Sequence, residues 1–116
     1  MNGSEDHRVV TICGSTRFMD QMREVNLRET AAGHAVFAPG CNLKEPHELW
    51  ATEELAEPLK ARLDPLHRAK IRLADEVVIV GDYIGDSTRA EIEYARSLGL
   101  PIRYTHPEVN PYTEEG

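Results

Sequence analysis

Apolar positions in this chain gather into short dense runs, separated by stretches in which they recur at helical spacing. Val9-Val10-Thr11-Ile12-Cys13 is continuous and rich in β-branched residues, the pattern of a strand buried on both faces, and Gly14 ends it. Ser15 and Thr16 are both suited to cap a helix. Phe18, Met22 and Val25 then fall on one helical face, and Gly33 is suited to the position just past a helix end. Residues 34–38 predict a second strand, closed by Pro39-Gly40. The clearest strand is 76–80, around Val77-Val78-Ile79-Val80, followed by a turn over 81–86. Ser87 or Thr88 is expected to cap a last helix that stops at Gly99, before a final strand over 101–104. The tail from Thr105 contains proline and predicts irregular chain.

The pattern blurs over 42–63, where Pro46 and Pro58 interrupt the apolar residues Leu49, Trp50 and Leu55. One short helix plus irregular chain is expected there, and an insert of this length is a candidate lid. Asp64-Pro65 then reads as a cap with proline at the first helical position. That helix is expected to run to about Ala74, with His67, Ile71 and Ala74 on one row.

Strands that alternate with helices predict an α/β fold, a parallel sheet of four to five strands in the order 2-1-3-4 with helices on both faces. A chain of 116 residues makes one domain, with an ordered core expected over about 8–105. In such a sheet the ligand site lies beyond the carboxyl ends of the strands, between the first and the third. The turns after Cys13 and after Gly81 meet there.

Charge narrows the partners. The formal net charge of -7, part of it in the ends 1–6 and 107–116, argues against binding a nucleic acid polymer. A small phosphate ligand needs only a local group of donors. Two cysteines do not make a disulfide framework, and Cys13 within its apolar run reads as a core residue. His7, His34, His47 and His106 form no metal-ligand spacing with the cysteines. No signal peptide or membrane span is read, so the cytoplasm is the expected compartment and no membrane partner is expected.

The Gly14-Ser15-Thr16-Arg17 turn combines a glycine after a buried strand, two hydroxyls, a guanidinium and a new helix N-terminus. Those features suit a phosphate or a sugar; an ordinary capped turn with Arg17 exposed is the plainer reading. The second turn repeats the design in Gly85, Asp86, Ser87, Thr88 and Arg89, and adds Glu91. A carboxylate held at that helix start can attack a sugar carbon. Thr88-x-x-Glu91 equally fits a capping box, in which Glu91 only bonds the Thr88 backbone. His67 reads as a packed helical histidine near the ligand end of the sheet, and Asp64 as its helix cap.

Three segments, Ile12-Cys13-Gly14-Ser15-Thr16-Arg17, Ala74-Asp75-Glu76-Val77-Val78-Ile79-Val80 and Glu91-Ile92-Glu93-Tyr94-Ala95 with Gly99 after it, resemble the nucleoside 2-deoxyribosyltransferase-like superfamily, over roughly residues 9–104. That group includes the 2′-deoxynucleoside 5′-phosphate N-hydrolases. The resemblance implies a Rossmann-like (flavodoxin-like) homodimer that cleaves an N-glycosidic bond without a redox or metal cofactor. It implies Glu91 as the nucleophile and Gly14, Ser15 and Arg17 as sugar and phosphate contacts. Thr16, Gly85, Asp86, Ser87 and Arg89 would complete the binding set. His67 stands where the family often carries an aspartate, and a histidine there could protonate a leaving base. Relatives are glycine-rich just before the glutamate, where this chain has Asp86-Ser87-Thr88-Arg89. The alternative expectation is a non-catalytic nucleotide-binding or sensing module of the same fold.

Overall fold

The computed structural model describes residues 7–112. The acidic ends 1–6 and 113–116 lie outside the described residues. Four parallel strands, β1 (Val9–Cys13), β2 (Ala35–Phe37), β3 (Glu76–Ile79) and β4 (Ile102–Tyr104), form one sheet in the order β2-β1-β3-β4. Three helices, α1 (Met19–Ala31), α2 (Glu53–Arg72) and α3 (Asp86–Ser97), cover it. This is the α/β architecture and strand order that the alternation predicts.

The pleat of β1 divides the core. Val10 and Ile12 face α1 with Val78 and Val80, against Phe18 and Met22. Cys13 shares the other face with Val77 and Ile79, against Ile71 of α2 and Ile92 and Ala95 of α3. The strand residues Val10, Ile12, Cys13 and Val77 are fully buried, which is why the central strands read as unbroken apolar runs.

Two glycines let the loops at the sheet's carboxyl edge close. A Cβ on Gly14 would lie 2.7 Å from the Val80 carbonyl oxygen, so the turn after β1 can pack directly on the chain after β3. Gly81 has φ +104°, and a Cβ there would sit 2.3 Å from the Phe18 ring. Phe18 thus packs directly beneath the turn after β3.

The insert departs from expectation. Residues 42–63 do not hold a separate short helix followed by a new start at Asp64. A 3-10 turn at Glu48–Trp50 leads into α2, which begins at Glu53 and runs unbroken through Pro58 and Pro65. Thr52, not Asp64, is its cap: the Thr52 hydroxyl accepts a hydrogen bond from the Leu55 N–H at 3.3 Å. The two prolines are seven residues apart and so share one exposed face. The carbonyls of Glu54 and Ala61, which they leave without an intrahelical donor, therefore face water. Breakers in sequence are tolerated when solvent can replace the missing bonds.

The start of α3 also differs. Gly85 is its N-cap residue and Asp86 its first helical residue, so Ser87 and Thr88 lie inside the first turn and neither caps. An acidic residue at the first position suits the helix dipole, and Thr88 is buried instead of half-exposed at an end. After β4 the chain makes a 3-10 turn at Pro107–Val109, and Tyr112 folds back on the α3 side of the core, under the Arg96 guanidinium at 3.7 Å.

Candidate functional site

Beyond the carboxyl ends of β1 and β3 lies a cavity of about 460 Å³, within the range of small-molecule sites. Its lining includes Gly14, Ser15, Thr16 and Arg17 from the first turn, and Gly85, Asp86, Ser87, Thr88 and Glu91 from the second. His67, Asp64 and Lys70 come from α2, and Pro39, Cys41 and Lys44 from the chain after β2. Of the insert over 42–63, Lys44 and Leu63 line the cavity, while its 3-10 turn lies apart, with His47 stacked on Trp50 at 4.8 Å.

The first turn is held as its sequence suggests. The Ser15 hydroxyl accepts from the Arg17 N–H at 3.3 Å and caps the 3-10 turn Thr16–Phe18 that precedes α1. Arg17 reaches across to the second turn, its guanidinium 4.2 Å from the centroid of the Tyr83 ring. Tyr83 carries no local signal of this role in the sequence. Arg89 is the one residue of the expected binding set that does not line the cavity; it is exposed. On a helix it lies about 100° from buried Thr88 and about 200° from Glu91, so the two cannot face the same space.

Glu91 is not part of a capping box. Thr88 is the third residue of α3 and Glu91 the sixth, too deep in the helix for its carboxylate to reach an end. It points inward, with Oε2 at 3.5 Å from His67 Nε2. His67 Nε2 in turn lies 3.3 Å from Cys13 Sγ, and Sγ lies within 4.8 Å of the Glu91 carboxylate. Among the described residues, Cys13, His67 and Glu91 form a compact group whose polar atoms all lie within 4.8 Å of one another. Cys13 is a core residue, as its apolar run predicts. Its thiol joins the site because the pleat turns the last residue of β1 toward α2 and α3. That parity was readable from the strand alone.

Burial governs the electrostatics of this group. It pushes the Glu91 carboxyl up to about 7, Asp64 adding to the rise and the Cys13 thiol opposing it. Burial likewise pushes His67 down to about 4, helped by the Lys70 charge and opposed by Asp64. Cys13 is raised well above the usual thiol range, first by burial and then by Glu91. His67 is therefore held neutral at neutral pH. Asp64, expected only as a helix cap, lines the cavity one turn before His67. Lys70 is aimed by a 2.9 Å hydrogen bond from its ammonium to the Ala38 carbonyl, while its own carbonyl accepts from the Thr11 hydroxyl at 2.8 Å.

No family model, curated protein or solved structure matches the chain. No helix among the described residues is long and apolar enough to cross a membrane.

Proposed function

We infer that the chain cleaves or transfers the N-glycosidic bond of a nucleoside or nucleoside 5′-monophosphate, with Glu91 as the attacking carboxylate. The observation that carries this reading is the position of Glu91: it is a mostly buried carboxyl lining a cavity of about 460 Å³, and no helix-capping role accounts for it. Ionised Glu91 attacks the anomeric carbon and forms a glycosyl ester, while the bond to the base breaks and the base leaves with a proton taken from solvent. Water, or a second base, then attacks the ester and restores the carboxylate. His67 is a positioning residue in this scheme. Its neutral ring meets the Glu91 oxygen and holds the carboxylate in the cavity.

The rest of the lining fits such a ligand. Arg17, Lys44 and Lys70 supply positive charge, Ser15, Thr16 and Ser87 supply hydroxyls, and the first turn of α3 adds unpaired backbone N–H groups. Asp64 and Asp86 suit sugar hydroxyls. A nucleotide-sensing module is the second reading, and one observation favours it: the His67 imidazole already lies 3.5 Å from the Glu91 carboxyl and 3.3 Å from the Cys13 thiol.

One experiment separates the two. The protein is heated with a panel of nucleosides and their 5′-monophosphates, and free base is measured in parallel. Stabilisation with base release supports the enzyme; stabilisation without it selects the module; neither effect refutes both. A homodimer is also proposed. Leu55 and Leu66 are exposed on α2 and Leu73 at its C-cap, and their spacing of eleven and seven residues aligns them in one stripe suited to a second copy.

A further inference from the structure

We propose that Cys13 Sγ, His67 Nε2 and a Glu91 carboxylate oxygen form a three-ligand site for a zinc-like divalent cation, with the fourth position open to the cavity. The donor types are the first ground. A thiolate, an imidazole and a carboxylate are the three side chains that zinc takes, and together the two anionic groups balance its charge.

The second ground is spacing. A tetrahedral zinc with a bond of about 2.3 Å to sulfur and about 2.0–2.1 Å to nitrogen and oxygen separates its ligand atoms by about 3.3–3.6 Å. Here Sγ and Nε2 are 3.3 Å apart, and Nε2 and Oε2 are 3.5 Å apart. All the polar atoms lie within 4.8 Å of one another. A cation can sit among them with only small side-chain rotations.

The third ground is rigidity. The ligands come from three different elements, the end of β1, the C-terminal half of α2 and the first half of α3, all fixed by the same apolar core. Cys13 is fully buried, so its sulfur is held in place by packing. His67 and Glu91 line the cavity, which puts the vacant vertex where a water or an oxygen of a bound ligand completes the shell. Three protein ligands with one open position is the arrangement of reactive, exchangeable zinc sites.

Cation binding by these three side chains does not depend on the glycosidic reaction. A cation here would take the same Glu91 oxygen that attacks in that scheme, so the metal-loaded chain and the base-releasing chain are exclusive states. The test therefore reads binding alone. Cobalt(II) is titrated into the full chain after treatment with a chelator and a thiol reductant, and thiolate-to-cobalt absorption is recorded. The expected result is one cobalt per chain, displaced by one equivalent of zinc. Affinity should fall at least about 100-fold, the upper end of what an outer-shell change costs, in Cys13→Ala and in His67→Gln. Far-ultraviolet circular dichroism verifies that each variant is folded, and either folded variant suffices. No thiolate band in the wild-type chain overturns the site. So does a band that survives Cys13→Ala and disappears in Cys41→Ser, because it assigns the thiolate to the other cysteine.

Discussion

Replacing Glu91 with glutamine should stabilise the fold at high pH and do nothing at low pH. Glutamine keeps the shape of the side chain but never ionises. In the wild-type chain burial raises the Glu91 carboxyl from its ordinary 4.5 to about 7. Below pH 4.5 it is protonated whether the chain is folded or not, and the substitution changes nothing electrostatic. Between 4.5 and 7 the unfolded chain ionises while the folded one keeps its proton, so stability falls as pH rises. Above 7 the loss is complete, and at about 1.4 kcal/mol per pH unit it amounts to about 3 kcal/mol. His67, lowered from 6.5 to about 4, has the opposite sign: its contribution is lost as pH falls through that window. The two slopes nearly cancel between 4.5 and 6.5 in the wild-type chain, and the glutamine variant uncovers the His67 limb. Urea unfolding of both proteins from pH 4.5 to 8.5 measures this. With a slope of about 1–3 kcal/mol per molar urea, the midpoint of the variant should exceed that of the wild type by about 1–3 M at pH 8. If Glu91 and His67 instead form an ion pair, the variant loses stability near pH 6, and the assignment of two neutral partners is refuted.

Other outcomes follow from the fold. Gly81→Ala forces a methyl group to 2.3 Å from the buried Phe18 ring at φ +104°. It should cost about 2–4 kcal/mol, read as a lower urea midpoint with an unchanged slope. At the opposite end of the sheet, Glu76 is 8% exposed and bonds Arg8 at 3.0 Å and also Arg103, which continues to Glu29 at 3.0 Å. Glu76→Gln should cost only about 1–2 kcal/mol, because both arginines are half-exposed and regain water. The Arg103 and Arg8 hydrogen bonds hold Glu76 below the usual carboxylate range. That contribution is present above pH 4.5 and is lost as pH falls through the lowered folded value, so the variant should show a shallower acid limb. Leu55→Glu with Leu73→Glu places like charges along the proposed dimer stripe, and sedimentation should shift from dimer to monomer.

Much of the fold was legible because parallel strands buried on both faces leave continuous apolar runs, and β1 and β3 do so plainly. The two turns at the carboxyl edge were legible too, since glycine followed by hydroxyls has a mechanical reason there. The start of α2 was not. Proline at 58 and at 65 breaks a helix unless both fall on a wet face, and only the phase of the whole helix shows that they do. The cap of α3 was misplaced because Gly85, with no side chain, left Ser87 and Thr88 as the better-looking candidates. Cys13 was overlooked because a buried cysteine and a site cysteine have the same neighbours in sequence. The partners that distinguish them, His67 and Glu91, lie more than fifty residues away. Lys70 and Tyr83 carried no local signal at all.

The role of Glu91 as the attacking group is tested most directly by base release. Wild type and Glu91→Gln are incubated at pH 8, where the carboxylate is ionised, with each of the common nucleoside 5′-monophosphates, and free base is quantified. At least one substrate should lose its base in the wild-type reaction, with the rate lowered more than about 10³-fold in the glutamine variant while its fold is intact or more stable. Equal rates of release by the two proteins would contradict the account.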